Sequence, residues 1–272
     1  MRFVRLIAFT LLPSLSVWAA LNDTGQSQCY DGTSLVPCTA SKSGDAASYP
    51  RQDGRFGRDA AASAGTLTKT GGGAAGFDFT KLGVDGNALA IQDQAWSYDG
   101  SGYDNGSEGS GTRWSCVRDN VTGLVWEVKT HATPADLRNS GWTYTWYHSD
   151  EASNGGNAGT PAPASGICNG GTSRCDTEKY IADVNALNIC GETADDWRLP
   201  TRDQLQSIVH FGIQNPAIDS SYFPNTINSV YWFSSSYARV SSLGLLVDFY
   251  GGVDDFYGKD SSNSVRLVRG RP

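Results

Sequence analysis

An α+β fold with a mostly antiparallel, looped sheet is what this 272-residue sequence predicts, and three observations carry it. Strand-like runs precede and follow two helical runs without the regular βαβ alternation of a parallel sheet. Six cysteines favour a disulfide-bonded domain. Aromatic density also rises from Trp114 onward, where every tryptophan except Trp18 and Trp96 lies, so the main core is expected there. With 39% hydrophobic and 18% charged residues, the chain lacks the signature of disorder.

Residues 1–19 read as a secretory signal peptide, with Arg2 and Arg5, an apolar stretch and a small residue, Ala19, at the cleavage point. The apolar stretch is short and broken by Pro13, and no later run approaches the length of a membrane span. The expected location is therefore outside the cytoplasm: periplasmic, secreted or on the cell surface. In such a compartment the short spacings pair Cys29 with Cys38 and Cys168 with Cys175. That leaves Cys116 with Cys190. The formal net charge of −7 argues against nucleic acid or anionic lipid as a partner, because both are held by Lys and Arg displacing counterions.

Residues 20–112 are rich in Gly, Ala, Ser and Asp and read as a loop-rich N-terminal region, with a domain over 113–272. Within that domain residues 122–128 (TGLVWEV) and 142–147 (WTYTWY) are β-branched and aromatic, hence strands. Residues 177–187 place Tyr180, Ile181, Val184 and Leu187 on one helical face, capped by Asp176 or Thr177. A second helix follows Pro200 with a capping-box pattern from Thr201 to Gln204. Its stripe is Leu205, Ile208 and Val209, and Gly212 ends it. Residues 230–236, 245–250 and 264–269 complete the strands.

DFYG occurs twice, at 248–251 and 255–258, around Gly251 and Gly252, which suit a two-residue hairpin loop. That loop would place Val247, Phe249 and Phe256 on the core face and display Asp248, Tyr250, Asp255 and Tyr257 on the other. Asp248 would then face Asp255, at a cost of up to about 1 kcal/mol unless solvent, a donor or a cation intervenes. Tyrosine faces beside carboxylates suit sugar recognition, so these four are the candidate ligand-binding residues. Asp248, Asp254, Asp255, Asp260 and Asn263 are hard oxygen donors and form the candidate calcium set. No other cofactor is implied.

Five ordered motifs, at 116–127 (CVRDNVTGLVWE), 196–201 (DWRLPT), 222–226 (YFPNT), 231–236 (YWFSSS) and 265–269 (VRLVR), resemble the Lcl C-terminal domain family of exported bacterial proteins. The resemblance implies a fold related to C-type lectins, with two helices and a looped antiparallel sheet. In the collagen-bearing members it implies glycan binding and adhesion. This sequence has no collagen-like stalk and none of the Glu-Pro-Asn, Gln-Pro-Asp or Trp-Asn-Asp triplets of calcium-dependent lectins.

Catalytic constellations are absent: the three histidines, His131, His148 and His210, do not form His-Glu-x-x-His, and no serine sits in Gly-x-Ser-x-Gly. The expectation is a non-catalytic recognition module for a glycan. A structural or protein-binding component of a surface assembly is the alternative, and an enzyme related to formylglycine-generating enzymes the third. Residues 71–76 (GGGAAG) match Gly-x-Gly-x-x-Gly, but the strand-like 77–82 that follow contradict a dinucleotide site. The acidic loop 99–108 (DGSGYDNGSE) resembles a calcium loop in composition and reads as a solvated loop. His210 reads as a helix-end partner. Trp126, Trp197 and Trp232 read as core, and Arg198 and Arg266 as buried charges paired with Asp196 or Glu127.

Overall fold

The computed structural model describes residues 22–38, 51–105, 108, 113–133, 135–161, 167–169, 172–191 and 196–270. The expected signal, residues 1–19, lies outside them. Strands β1 (Gln28–Tyr30) and β2 (Leu35–Pro37) form a hairpin closed by the Cys29–Cys38 disulfide. The short helix α1 (Gly57–Ser63) follows, its N-terminus held by the Asp23 carboxylate, which accepts from the Asp59 N–H at 2.9 Å.

A four-stranded antiparallel sheet has the order β11 (Val268–Arg269), β5 (Val125–Glu127), β4 (Cys116–Asp119), β3 (Phe79–Leu82). A second sheet has the order β7 (Val230–Ser236), β8 (Leu243–Asp248), β9 (Val253–Gly258). A third pairs β6 (Tyr144–Thr145) with β10 (Ser262–Asn263). Helices α2 (Thr177–Asn185) and α3 (Arg202–Gln206) lie between β6 and β7 in the chain. The fold is therefore α+β with few helices, several antiparallel sheets and the three expected disulfides, including Cys116–Cys190 and Cys168–Cys175.

Two apolar clusters fill the interior. One joins Phe77, Phe79, Trp114, Trp126, Phe223 and Phe249, and the other Tyr144, Trp146, Tyr180, Trp197 and Trp232 around Cys116–Cys190. Trp126, Trp197 and Trp232 are buried, as expected of core residues. The boundary at residue 112 does not divide the core, because β3 pairs with β4 and Phe77 and Phe79 sit fully inside it.

Helix α2 is capped by Asp176, which accepts from Lys179 N–H, and buries Tyr180 and Val184. Leu187 lies beyond its end and is exposed. Helix α3 carries both reciprocal bonds of the capping box between Thr201 and Gln204. It ends at Gln206 instead of continuing toward Gly212. Ser207 Oγ donates to Gln204 O at 2.7 Å, and His210 N–H leaves the helix for Ala217 O at 2.9 Å. Leu205, Ile208 and Val209 are nevertheless all buried.

The hairpin register also differs. Asp248 pairs with Val253, Leu246 with Asp255, and Gly244 with Tyr257, so the loop holds four residues, 249–252, and the two aspartates are not opposed. Phe249 leaves the ladder because it is fully buried and bonds elsewhere: its N–H donates to Ser229 O, and its carbonyl accepts from Ala217 N–H. A shift of two keeps each side chain on its face. Strand β9 is the sheet edge, however, and Phe256, expected in the core, is 46% exposed and stacked on Tyr237 at 4.8 Å.

Candidate functional site

Of the residues expected to bind ligand, the two aspartates are diagonal neighbours across β8 and β9, and each accepts from a nearby backbone N–H. Asp248 Oδ1 accepts from Tyr250 N–H at 2.8 Å, while Asp255 Oδ1 accepts from its neighbour, Phe256 N–H. Tyr250 stands in the loop and Tyr257 on the edge strand, both exposed. Of the expected calcium set, Asp254 is bound by Arg202 and by Gln206 Nε2, and Asn263 is buried in β10. Among the described residues, the single group of three acidic side chains with ligand atoms within 4.8 Å is Asp23, Asp53 and Asp59. Thr24 Oγ1 donates to Asp53 and Asp59, while Asp59 N–H and Gly76 N–H occupy Asp23 and Asp59. The group staples the N-terminal segment to α1.

The glycine-rich loop is likewise spent internally. Thr70 and Gly71 N–H donate to Asp78, Ala74 N–H to Asp219, and Gly76 N–H to Asp59. Backbone donors that would cradle a phosphate are therefore already neutralised by carboxylates. The acidic loop behaves the same way: Asp99 accepts from Ser101 and Tyr103 N–H, and Glu108 from Val84 N–H and Ser115 Oγ. His210 is buried, and its Nδ1 accepts from Gly212 N–H at 3.1 Å, which closes the turn after α3.

What the fold does build is a cleft of about 610 Å³ between residues 92–98 and residues 220–226. The first wall follows β3. The Gln92 side chain acts as a missing strand, accepting from Lys81 N–H and donating to Lys81 O, at 2.8 and 2.9 Å. Trp96 then packs edge-on against Trp114 at 4.8 Å, with Tyr98 exposed beside it. The opposite wall starts at Asp219, whose carbonyl accepts from Tyr222 and Phe223 N–H. It ends at Asn225, a left-handed residue at φ 58°, a conformation asparagine tolerates better than most side chains.

One carboxylate oxygen ties the walls together. Asp104 Oδ1 accepts from Trp96 Nε1 at 2.8 Å on one side and from Asn225 Nδ2 at 3.0 Å on the other. Asn225 Oδ1 accepts from Tyr98 OH at 3.0 Å, and Asn225 Nδ2 also reaches Lys129 O. The Asp104 side chain is itself buried, with Arg113 at 3.7 Å and His131 N–H at 2.7 Å. A carboxylate accepting this many bonds holds its partners in one geometry, so the cleft is preformed. Burial beside Asp219, Asp93 and Asp78 raises the Tyr222 hydroxyl to about 12, and it stays protonated as a donor.

Behind the second wall lies a buried ionic network. Lys129 Nζ donates to Glu127 Oε1 at 2.9 Å and to Tyr180 OH at 2.6 Å, and Tyr180 OH in turn donates to Glu127. Arg266, fully buried, gives NH1 to the Glu127 backbone carbonyl and NH2 to Thr226 Oγ1, both at 2.6 Å. The Glu127 charge acts on Arg266, as expected, while its hydrogen bonds go to a carbonyl and a hydroxyl. The Asp196 charge likewise acts on Arg198, whose hydrogen bonds go to Gln204 Oε1 and Gly270 O, and Asp196 also lies 3.7 Å from Arg269.

Fold and site together define a disulfide-braced α+β domain with a rigid aromatic and polar cleft on one side. Residues 115–269, more than half of the chain, match the model of the Lcl C-terminal domain, and the chain belongs to that family. No curated protein and no solved structure matches it. The motif at 222–226 is the second wall of the cleft. That motif was the sequence signal for the site, together with Trp96, the one tryptophan between the signal segment and residue 113.

Proposed function

We propose that this protein is an exported, non-catalytic recognition module of C-type-lectin-like architecture that binds a glycan in the cleft between residues 92–98 and 220–226. The observation that carries this reading is the exposed Tyr98 ring standing on a wall fixed by Asp104, beside Tyr222 and Asn225. Sugar binding needs an aromatic face and polar groups held in place before the ligand arrives, because ordering them on binding costs affinity. Three disulfides fit an oxidising compartment, and no helix among the described residues is long and apolar enough to cross a membrane. All six cysteines are paired, so thiolate chemistry of the formylglycine-generating kind has no resting nucleophile here.

The test is a glycan array on the oxidised protein, with calcium and again with EDTA, beside Tyr98→Ala, Asp248→Ala and Tyr250→Ala. Loss of binding in Tyr98→Ala alone supports the cleft, whereas loss in the other two moves the site to the hairpin. EDTA sensitivity would add calcium. The alternative, a protein-binding component of a surface assembly, draws on a second groove of about 650 Å³ whose rim exposes Leu35, Phe211 and Ile213. Protein contacts without any sugar binding would favour it.

A further inference from the structure

Lys81 lines the cleft, yet its side chain is almost completely buried. Its Nζ donates to Gln92 O at 2.9 Å and Gln94 O at 2.6 Å, and stands 4.2 Å from the centre of the Trp114 ring and 5.0 Å from that of Tyr222. An ammonium has three protons, and these contacts give it two carbonyl acceptors and two π faces. No ion pair forms at this ammonium among the described residues, in contrast to Lys129 on Glu127 and Lys179 on Asp176. Lys69 and Lys259 are also held by carbonyls, but neither lines this cleft.

A positive charge in a poorly polarisable wall acts on a nearby anion far more strongly than one in water. Among the described residues Lys81 is the one Lys or Arg lining the cleft, so the cleft offers a single compact positive charge, not a stripe. A chain carrying several sulfates would need more cations than this and would meet the net negative charge of the protein. Resting on the reading of this cleft as a glycan site, we infer that its ligand is a sugar bearing one carboxylate per ring, a uronic acid, with the carboxylate directed to Lys81 and the ring against Tyr98. Asp219, buried, and Asp93, exposed on the rim, both act on Lys81 and oppose that carboxylate, and they keep the affinity modest.

The experiment is calorimetry of the oxidised full chain with tetragalacturonic acid and with its methyl ester, which keeps the rings and removes the charge. The acid should bind at least about tenfold more tightly than the ester. Lys81→Met should abolish that preference and Lys81→Arg keep most of it. Asp93→Asn, at an exposed position that leaves the fold intact, should tighten the acid about two- to threefold without changing the ester. Equal binding of acid and ester, or a preference that survives Lys81→Met, overturns the uronic-acid inference. Neutral glycans that bind through Tyr98 with no gain from a carboxylate overturn this inference and leave the cleft reading standing, whereas no glycan binding at all overturns both.

Discussion

Removing the charge of Glu127 while keeping its shape, as in Glu127→Gln, isolates what the buried network contributes. In the native protein Glu127 and Lys129 are both buried, and the carboxylate accepts from Lys129 Nζ, Tyr180 OH and Leu267 N–H. Glutamine keeps one acceptor oxygen for Lys129 and Tyr180, but it turns an NH2 donor toward the Leu267 N–H and leaves the Lys129 ammonium without a counter-charge. Breaking a buried pair from one side costs about 3–5 kcal/mol, and a loss in that range is expected. Burial already pushes Lys129 down to about 8, and Glu127 is what holds it up. In the variant its pKa falls further, so the loss should be largest near pH 6 and shrink as the pH rises and the lysine becomes neutral. Lys129→Met should cost a similar amount by stranding the carboxylate, and the double variant Glu127→Gln, Lys129→Met should cost well under the sum of the two. Urea unfolding of the oxidised protein at pH 6 and pH 9 measures all of this. A Glu127→Gln loss below about 1 kcal/mol, or strict additivity in the double variant, would refute the reasoning.

The native protein should itself become more stable as pH rises from about 8 toward 10. Lys129 and Lys259 are both depressed to about 8 by burial, whereas unfolded lysines titrate near 10.4, so the unfolded chain binds more protons across that window. Above about pH 10 stability should fall, because burial raises Tyr144, Tyr180 and Tyr231 and the unfolded chain then loses protons that the fold retains. A urea midpoint that declines steadily from pH 7 would contradict both steps. Replacing Cys116 and Cys190 by alanine should cost roughly 4 kcal/mol, against roughly 2.5 kcal/mol for Cys29 and Cys38, since the bridges span 74 and 9 residues; denaturant titrations giving the reverse order would rule out a loop-entropy origin. Thr201→Ala, which removes the cap of α3, should lower stability by about 1 kcal/mol with the denaturant slope unchanged.

Much of the frame was legible in the sequence because its signals are local. Strand β7 coincides with the β-branched and aromatic run at 230–236, the capping box at Thr201 is present, and the disulfides follow from short spacings. What failed was decided by distant partners. A Gly-Gly pair suits a two-residue loop on local grounds, but Phe249 gains more from full burial and from bonds to Ser229 and Ala217 than from its place in the ladder. Helix α3 stops early for a similar reason, since His210 finds Ala217 O across the chain.

The candidate site was harder to see, because its organiser lies in a segment whose composition argues for solvated loop. In the acidic stretch at 99–108, the Asp104 side chain is buried and draws together Trp96, Asn225, Arg113 and the backbone of His131. Composition treats such a carboxylate as a surface charge, and only the contact between positions 104 and 225 gives it another role. Lys81, Lys69 and Lys259 make the same argument from the opposite sign. Each reaches two backbone carbonyls of an irregular segment, at 92 and 94, 73 and 75, and 154 and 157. A chain this rich in loops leaves carbonyls that no strand can satisfy, and a long side chain ending in three donors can serve them without a regular partner. The loops are thereby held by a few buried or half-buried charges instead of by sheet, and at Lys81 the same solution leaves a positive charge in the wall of a cleft.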